Sequence, residues 1–270
     1  MDYRNSIVFI GGGNMAEALA AGITGAGILP ADSIIVSEPL SERCAYLKRQ
    51  HGFITTGSNP QAVEGGGTIF LAVKPQVLPQ VLKEISPSIS KAQLVISIAA
   101  GINLESLEKS LPGIPVIRSM PNTPALVGSG ATVISTGQFV QEEMSLWAVE
   151  LFQAVGSCYV LSEELMDPVT GLSGSGPAYI FYLAEALIEA GISTGIPAVE
   201  AAGLVKQTIF GAARMMLETQ KNPAELRKMV TSPGGTTMAG LSALDDAHFI
   251  ETVVEAVQAA TERARELGKS

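Results

Sequence analysis

One short stretch limits what this chain can become: "IVFIGGGNMAEAL", residues 7–19. The apolar run Ile7 to Ile10 stops at three glycines, and helix-forming residues begin directly after them. That order reads as a strand, a tight turn and a helix. Gly11, Gly13 and Ala16 stand in the order G-x-G-x-x-A. Gly11 permits the turn, Gly13 lets a pyrophosphate come close to the backbone, and Ala16 allows the helix to pack tightly on the strand. The first N–H groups of a helix have no partner within it, so they face such phosphates. Gly12, at the variable site, and Asn14 and Met15, in the first turn, are contacts by position. Dinucleotide binding is the expectation.

The residues that follow keep the required rhythm. "SIIVS" (33–37) reads as a second strand and "SERCAYLKRQHG" (41–52) as a helix with a serine cap and a glycine stop. "GTIFLAVKP" (67–75), "QLVISIAAG" (93–101), "PVIRSMPNTP" (115–124), "ATVIS" (131–135) and "SCYVL" (157–161) read as further strands, with the helical "EEMSLWAVELFQAVG" (142–156) between the last two. Apolar strands alternating with helices imply an α/β domain whose mostly parallel sheet is covered on both faces. From about residue 165 strand-like runs cease, and helical stretches take over at 178–190, 198–219, 223–230 and 247–267. The expected division is a dinucleotide-binding domain over 1–164 and a helical domain over 165–270. Within "AAGLVKQTIFGAARMML" (201–217) only Lys206, Gln207 and Arg214 are strongly polar. A helix apolar around most of its circumference needs a second surface, which predicts a homodimer.

The second strand ends in "VSEP", which places Ser37 and Glu38 where the adenosine ribose is read. A carboxylate there favours the free 2′-hydroxyl of NADH and repels the 2′-phosphate of NADPH; Ser37 and the nearby Arg43 could instead serve a phosphate. The sequence therefore admits either cofactor and predicts appreciable use of NADH. Val73 and Lys74, closing "IFLAVKP", fall at a carboxyl edge where such sheets bind ligands. Ala99, Ala100 and Gly101 are small enough for a nicotinamide ribose to pass, and Asn59 is grouped with these cofactor contacts.

Composition removes other classes. With 17 Lys and Arg against 26 Asp and Glu, the net charge of −9 disfavours a nucleic-acid partner. The N-terminal apolar run is too short for a signal peptide, and no stretch approaches the roughly 18 apolar residues of a membrane span. Cys44 and Cys158 lie far apart and read as inert core thiols of a cytoplasmic protein. His51 and His248 stand alone as surface or capping residues, so no metal site is expected.

Taken together, "IGGGNM", "LAVKP", "VISIAAGI", "RSMPNTPALV", "VTGLSGSGPAY" and "VTSPGGTTMAGL" resemble the pyrroline-5-carboxylate reductase family across nearly the whole chain. The resemblance implies a Rossmann-type doubly wound sheet followed by an all-α dimerisation domain, and oligomers built from dimers. It also implies hydride transfer from NADPH or NADH to the C=N carbon of 1-pyrroline-5-carboxylate, giving L-proline.

The resemblance gives a purpose to "MVTSPGGTTMAGL" (229–241), where Pro233, Gly234 and Gly235 break a helical region. Consecutive backbone N–H groups at a helix start make a nest for the substrate carboxylate. Gly234, Gly235 and the neighbouring Thr236 are expected to form it, with Ser232 supporting the loop. Thr237, by resemblance to the family's substrate threonine, would hydrogen-bond the ring nitrogen. "GLSGSGPAY" (171–179) shares G-x-x-G-x-G spacing with β-hydroxyacid dehydrogenases, which carry a catalytic lysine four residues after the last glycine. Here that position is Ile180. A ketone needs a general acid there and a protonated imine does not. Alternatives are another NAD(P)-linked reductase of a cyclic imine or a β-hydroxyacid, or a dinucleotide-binding sensor without catalysis.

Overall fold

The computed structural model describes residues 3–268, and the chain divides into two compact units, Met1–Ser175 with Ala259–Ser270, and Gly176–Gln258. The first unit is built on eight strands: β1 (Ile7–Ile10), β2 (Ile34–Ser37), β3 (Ile54–Thr56), β4 (Thr68–Leu71), β5 (Leu94–Ser97), β6 (Val116–Met120), β7 (Gly130–Thr136) and β8 (Gly156–Val160). They form one sheet in the order β3-β2-β1-β4-β5-β6-β7-β8, parallel throughout except for the antiparallel β6–β7 pair. The helices α1 (Asn14–Gly25), α2 (Ser41–His51), α3 (Asn59–Glu64), α4 (Leu78–Ile85), α5 (Leu104–Ser110) and α6 (Glu142–Gln153) join the strands.

Strand alternation explains the two-sided core. Ile7 and Phe9 enter one cluster with Leu19, Ile23 and Phe152, whereas Val8 and Ile10 enter the other with Leu78, Leu82 and Leu107. Within the first cluster the Phe9 and Phe70 rings stack at 4.8 Å. The central parallel strands β1, β4 and β5 are buried along their whole length and mostly apolar on both faces, as a parallel sheet requires.

The chain crosses to opposite sides of β1, since β2 pairs on one edge and β4 on the other. That reversal of strand order opens a crevice at the carboxyl ends. Ile10 is level with both Ser37 and Leu71, and Leu71 with Ser97. The residues after β1, β2, β4 and β5 therefore share one edge.

The fold departs from the sequence reading in several places. The strand "GTIFLAVKP" is ordered as β only over Thr68–Leu71, because Ala72 to Pro75 belong to the edge loop. β3 was not expected: it is three residues long, and its Ile54 is exposed. The compact unit also runs past 164, since α7 (Met166–Val169) and the π-turn Thr170–Gly174 stay with the sheet. Met166 and Val169 are buried there against Val133 and Met120.

The second unit is helical: α8 (Gly176–Ser193), α9 (Ala198–Glu218), α10 (Pro223–Met229), α11 (Thr236–Asp246) and the first part of α12 (Phe249–Gly268). Local chemistry sets these boundaries. Pro197 precedes α9, and Asn222 with Glu225 forms a capping box on α10. Across 176–258, among the described residues, Ala201 alone is buried. Phe181, Leu204, Phe210 and Leu217 are 59–85% exposed. A helical unit with so little core of its own depends on a further surface for stability.

Candidate active site

The glycine turn sits where the sheet reverses. Gly11 adopts φ +101°, and a β-carbon on it would stand 2.7 Å from the Ala72 carbonyl oxygen at the end of β4. Its N–H donates to the Ser37 carbonyl at 2.8 Å, tying the turn to β2. Gly13 caps α1 in extended backbone (φ −68°, ψ 179°) without a side-chain cap, and nothing lies within 4 Å of where its β-carbon would be. The unpaired amides at the start of α1 thus open onto free space at the positive end of a helix. Ala16, 2% exposed, packs into the core as the third position of the motif requires. These residues fit a dinucleotide pyrophosphate.

At the end of β2, Glu38 turns back onto this turn. Its Oε2 accepts from the Gly12 N–H at 2.9 Å and its Oε1 from the Leu40 N–H at 3.1 Å. Ser37 was expected as a ribose or phosphate contact, but it is 1% exposed and its hydroxyl donates inward to Asn59 Oδ1 at 2.7 Å. Asn59 in turn donates to Glu84 at 3.0 Å. Buried Ser37 and half-buried Asn59 form a brace behind the edge. Val73 lies beside Gly11, and Lys74 is exposed at the β4 edge. At the β5 edge Ala99 is buried, Ala100 is exposed and Gly101 takes φ +76°.

The sequence reading left Arg43 without a settled role and missed Glu17. Arg43 Nε donates to the Gly12 carbonyl at 2.6 Å, and its Nη2 pairs with Glu17 at 2.5 Å. The guanidinium lies 5.0 Å from the centre of the Tyr46 ring. His51 was read as solitary, yet its Nε2 meets the other Glu17 oxygen at 2.8 Å while its ring stacks on Phe53. Burial works against ionising Glu17. The hydrogen bonds from His51 and Arg43, with the Arg43 charge, outweigh it and hold the carboxyl below its ordinary range. No spacing in the sequence links the two residues; each falls in the first turn of its own helix, and the fold brings both to Gly12. Leu40, Ser41, Glu42, Arg43 and Tyr46 line an open hollow of about 510 Å³.

The sequence reads both cysteines as core thiols, but neither is fully buried. Both are free and half-buried; Cys44 donates to the Glu38 carbonyl, and burial pushes the Cys158 thiol up to about 12.

The "PNTP" segment also gains a role. Asn122 is 9% exposed; it donates to the Ser173 carbonyl at 3.0 Å and accepts from the Ala131 N–H at 2.8 Å. It therefore links the loop after β6, the start of β7 and the π-turn.

In the second unit, Ser232 to Gly235 form a tight turn closed by a Gly235 N–H to Ser232 carbonyl bond of 3.0 Å. Pro233 at its second position and Gly234 at its third, with φ +71°, match a type II turn. A β-carbon on Gly235 would overlap the Ser232 hydroxyl, so the two residues support each other. One expectation needs correction: the Gly235 amide is consumed by the turn and cannot serve a carboxylate. Gly235 instead caps α11 without a side-chain bond. The amides left open at that end are those of Thr236, Thr237 and Met238, since the Ala239 N–H is the first to return, to the Gly235 carbonyl. Both threonine side chains are exposed. Ile180, on α8, is 47% exposed.

Among the described residues, no three His, Cys, Asp or Glu side chains cluster as a metal ion would need, and no helix is long and apolar enough to cross a membrane. Residues 163–267 match the family model described as pyrroline-5-carboxylate reductase dimerisation, and residues 6–101 match that of NADP oxidoreductase coenzyme F420-dependent. A pyrroline-5-carboxylate reductase of Synechocystis is 42% identical over 260 residues, which is 96% of this chain and 97% of that protein. The structure of a pyrroline-5-carboxylate reductase from Coxiella burnetii superposes with a TM-score of 0.94 at 38% identity, covering 99% of this chain and 100% of that one. The Plasmodium falciparum pyrroline carboxylate reductase, solved with NADP bound, gives 0.88 at 32% identity, with 99% and 100% coverage. The chain therefore belongs to the pyrroline-5-carboxylate reductase family, a family of NAD(P)H-dependent oxidoreductases, and carries its dimerisation domain.

Proposed function

We propose that this chain transfers hydride from NADPH or NADH to the C=N carbon of 1-pyrroline-5-carboxylate and releases L-proline. The observation that carries the reading is the Ser232–Gly235 turn: it delivers a glycine-capped helix start whose amides suit a carboxylate, beside an exposed threonine at 237. The bound nicotinamide supplies the hydride. Gly11, Gly12, Gly13, Asn14 and Met15 hold the pyrophosphate, Glu38 the ribose, and Val73, Lys74, Ala99, Ala100 and Gly101 the edge beyond it. Ser37 and Asn59 brace that edge from behind. Thr236 and Thr237 amides grip the substrate carboxylate, Ser232, Gly234 and Gly235 shape the turn, and the Thr237 hydroxyl engages the ring nitrogen. A protonated imine becomes a neutral amine on reduction, so the protein chiefly aligns the reactants. Ile180 cannot protonate an alkoxide, which weighs against a ketone substrate.

The functional division we propose is a cofactor domain over 1–164 and a substrate and dimerisation domain over 165–270. We also assign a homodimer that assembles further, a cytoplasmic location in keeping with the two free thiols, and no nucleic-acid or membrane partner, in keeping with the net charge of −9. The test is oxidation of NADPH and of NADH by purified protein, with and without 1-pyrroline-5-carboxylate. No imine-dependent oxidation with either cofactor sinks the reading.

A further inference from the structure

We propose that Glu17 sets the choice between NADH and NADPH by holding the Arg43 guanidinium away from the adenosine 2′ position. The inference rests on the cofactor half of the function proposed above and assigns a role to a helix residue outside the expected contact set. Gly12 is bracketed by two charged groups. Glu38 takes its N–H, and Arg43 donates to its carbonyl. Glu38, at the end of β2, is placed to accept from a free 2′-hydroxyl. A 2′-phosphate offers no such donor and brings further negative charge.

The cation that could answer that charge is already committed. Arg43 is bound at once by the Gly12 carbonyl, the Glu17 carboxylate and the Tyr46 ring face. Glu17 cannot readily yield, because its second oxygen is engaged by His51, whose ring is stacked at 4.9 Å on the buried Phe53. Ser37 does not compensate, since its hydroxyl is spent on Asn59. The cluster thus presents two carboxylates against one arginine and disfavours a phosphate. Neutralising Glu17 leaves the Nε bond to Gly12 intact and frees the outer guanidinium nitrogens, whose geometry suits a phosphate.

The test is direct titration of the full-length protein with NADH and with NADPH, without imine, for wild type, Glu17→Gln, Arg43→Ala and the double variant. Glu17→Gln is expected to shift the ratio of the two dissociation constants about tenfold towards NADPH, the scale of one charge-assisted contact. Arg43→Ala alone should move that ratio by less than about twofold, and the double variant should return it to the wild-type value. An unshifted ratio in Glu17→Gln overturns the inference. So does a shift that survives loss of Arg43, which would make Glu17 only a distant charge. Should Glu17→Gln fail to fold, Arg43→Ala still decides: a selective tenfold loss of NADPH binding would show the arginine already engaged with phosphate. Binding of both dinucleotides with no pyrroline reduction overturns the reaction alone and leaves this ratio as a valid test.

Discussion

Gly11 and Gly13 lie in the same turn, yet the structure assigns them opposite sensitivities to a single methyl group. Alanine at 11 would have to accept φ +101° and place its β-carbon 2.7 Å from the Ala72 carbonyl oxygen. The strained backbone costs about 1–3 kcal/mol. Displacing a neighbouring strand's backbone adds about 1–3 more, for a total of about 2–6 kcal/mol. In a unit of this size, at about 2–4 °C per kcal/mol, that corresponds to a fall in Tm of roughly 4–24 °C. Alanine at 13 meets no atom within 4 Å, and φ −68° with ψ 179° is open to any residue. Alanine is a poorer N-cap than glycine by about 0.5–1 kcal/mol, and the stiffer unfolded chain returns about as much. Its Tm should stay within about 2 °C of wild type. Its methyl group, however, occupies the space a pyrophosphate needs, so dinucleotide affinity should fall at least about tenfold. Thermal unfolding and fluorescence titration with NADPH and NADH, on both variants, check the pair. A Gly11→Ala protein as stable as wild type, or a Gly13→Ala protein that binds normally, would refute the assignment.

Other outcomes follow from the same geometry. Thr237→Val should lower kcat/KM about ten- to hundredfold, by loss of a hydrogen bond to a partly charged nitrogen worth roughly 1.5–3 kcal/mol; an unchanged value removes Thr237 from the mechanism. Glu38 predicts appreciable NADH use, and a strong NADPH preference in kcat/KM would refute that reading. Phe210→Glu places a charge on an exposed apolar face of α9; light scattering should show loss of the dimer, and a dimer that persists would move the interface off that face. Glu17 has a lowered folded-state pKa against an ordinary 4.5, so its stabilisation is full above that value and lost as pH falls through the lowered one. Tm measured from pH 6 downward should fall less steeply in Glu17→Gln than in wild type, and parallel curves would dismiss the contribution.

Much of this could be read from the chain because some residues have few alternatives. Three glycines between "IVFI" and an alanine-rich helix admit little but the β1–α1 turn, and the apolar strands 68–71, 94–97 and 116–120 were visible within the longer runs assigned to them. What was missed depends on partners distant in sequence. β3 exists because Ile35 to Ser37 offer it a ladder, a fact that "ITT" does not carry. α5 is seven residues long, too short for a periodic signal, though Asn103 caps it. At the site, Ser37 was placed correctly on β2 but its hydroxyl direction was not legible, since Asn59 lies 22 residues away. Glu17 escaped notice for the same reason: its partners Arg43 and His51 come from another helix. The Gly235 amide was miscounted because a glycine pair announces a turn without saying which N–H closes it.

Helix capping joins the two proposed binding ends. α3, α5 and α10 begin with Ser58, Asn103 and Asn222, whose side chains accept from the first turn and leave fewer amides for a ligand. α1 and α11 begin with Gly13 and Gly235, neither of which makes a side-chain cap. A glycine cap gives up the stabilisation of a side-chain acceptor, and the amides it leaves unsatisfied face outward with the positive end of the helix dipole. An anion from solution can then complete them: a pyrophosphate at α1, a carboxylate at α11. Replacing Gly13 by serine should therefore install a side-chain cap and weaken dinucleotide binding beyond the effect of Gly13→Ala, because the hydroxyl competes for the same N–H groups. Equal affinities for the serine and alanine variants would show that space alone, and not the freed amides, governs binding there.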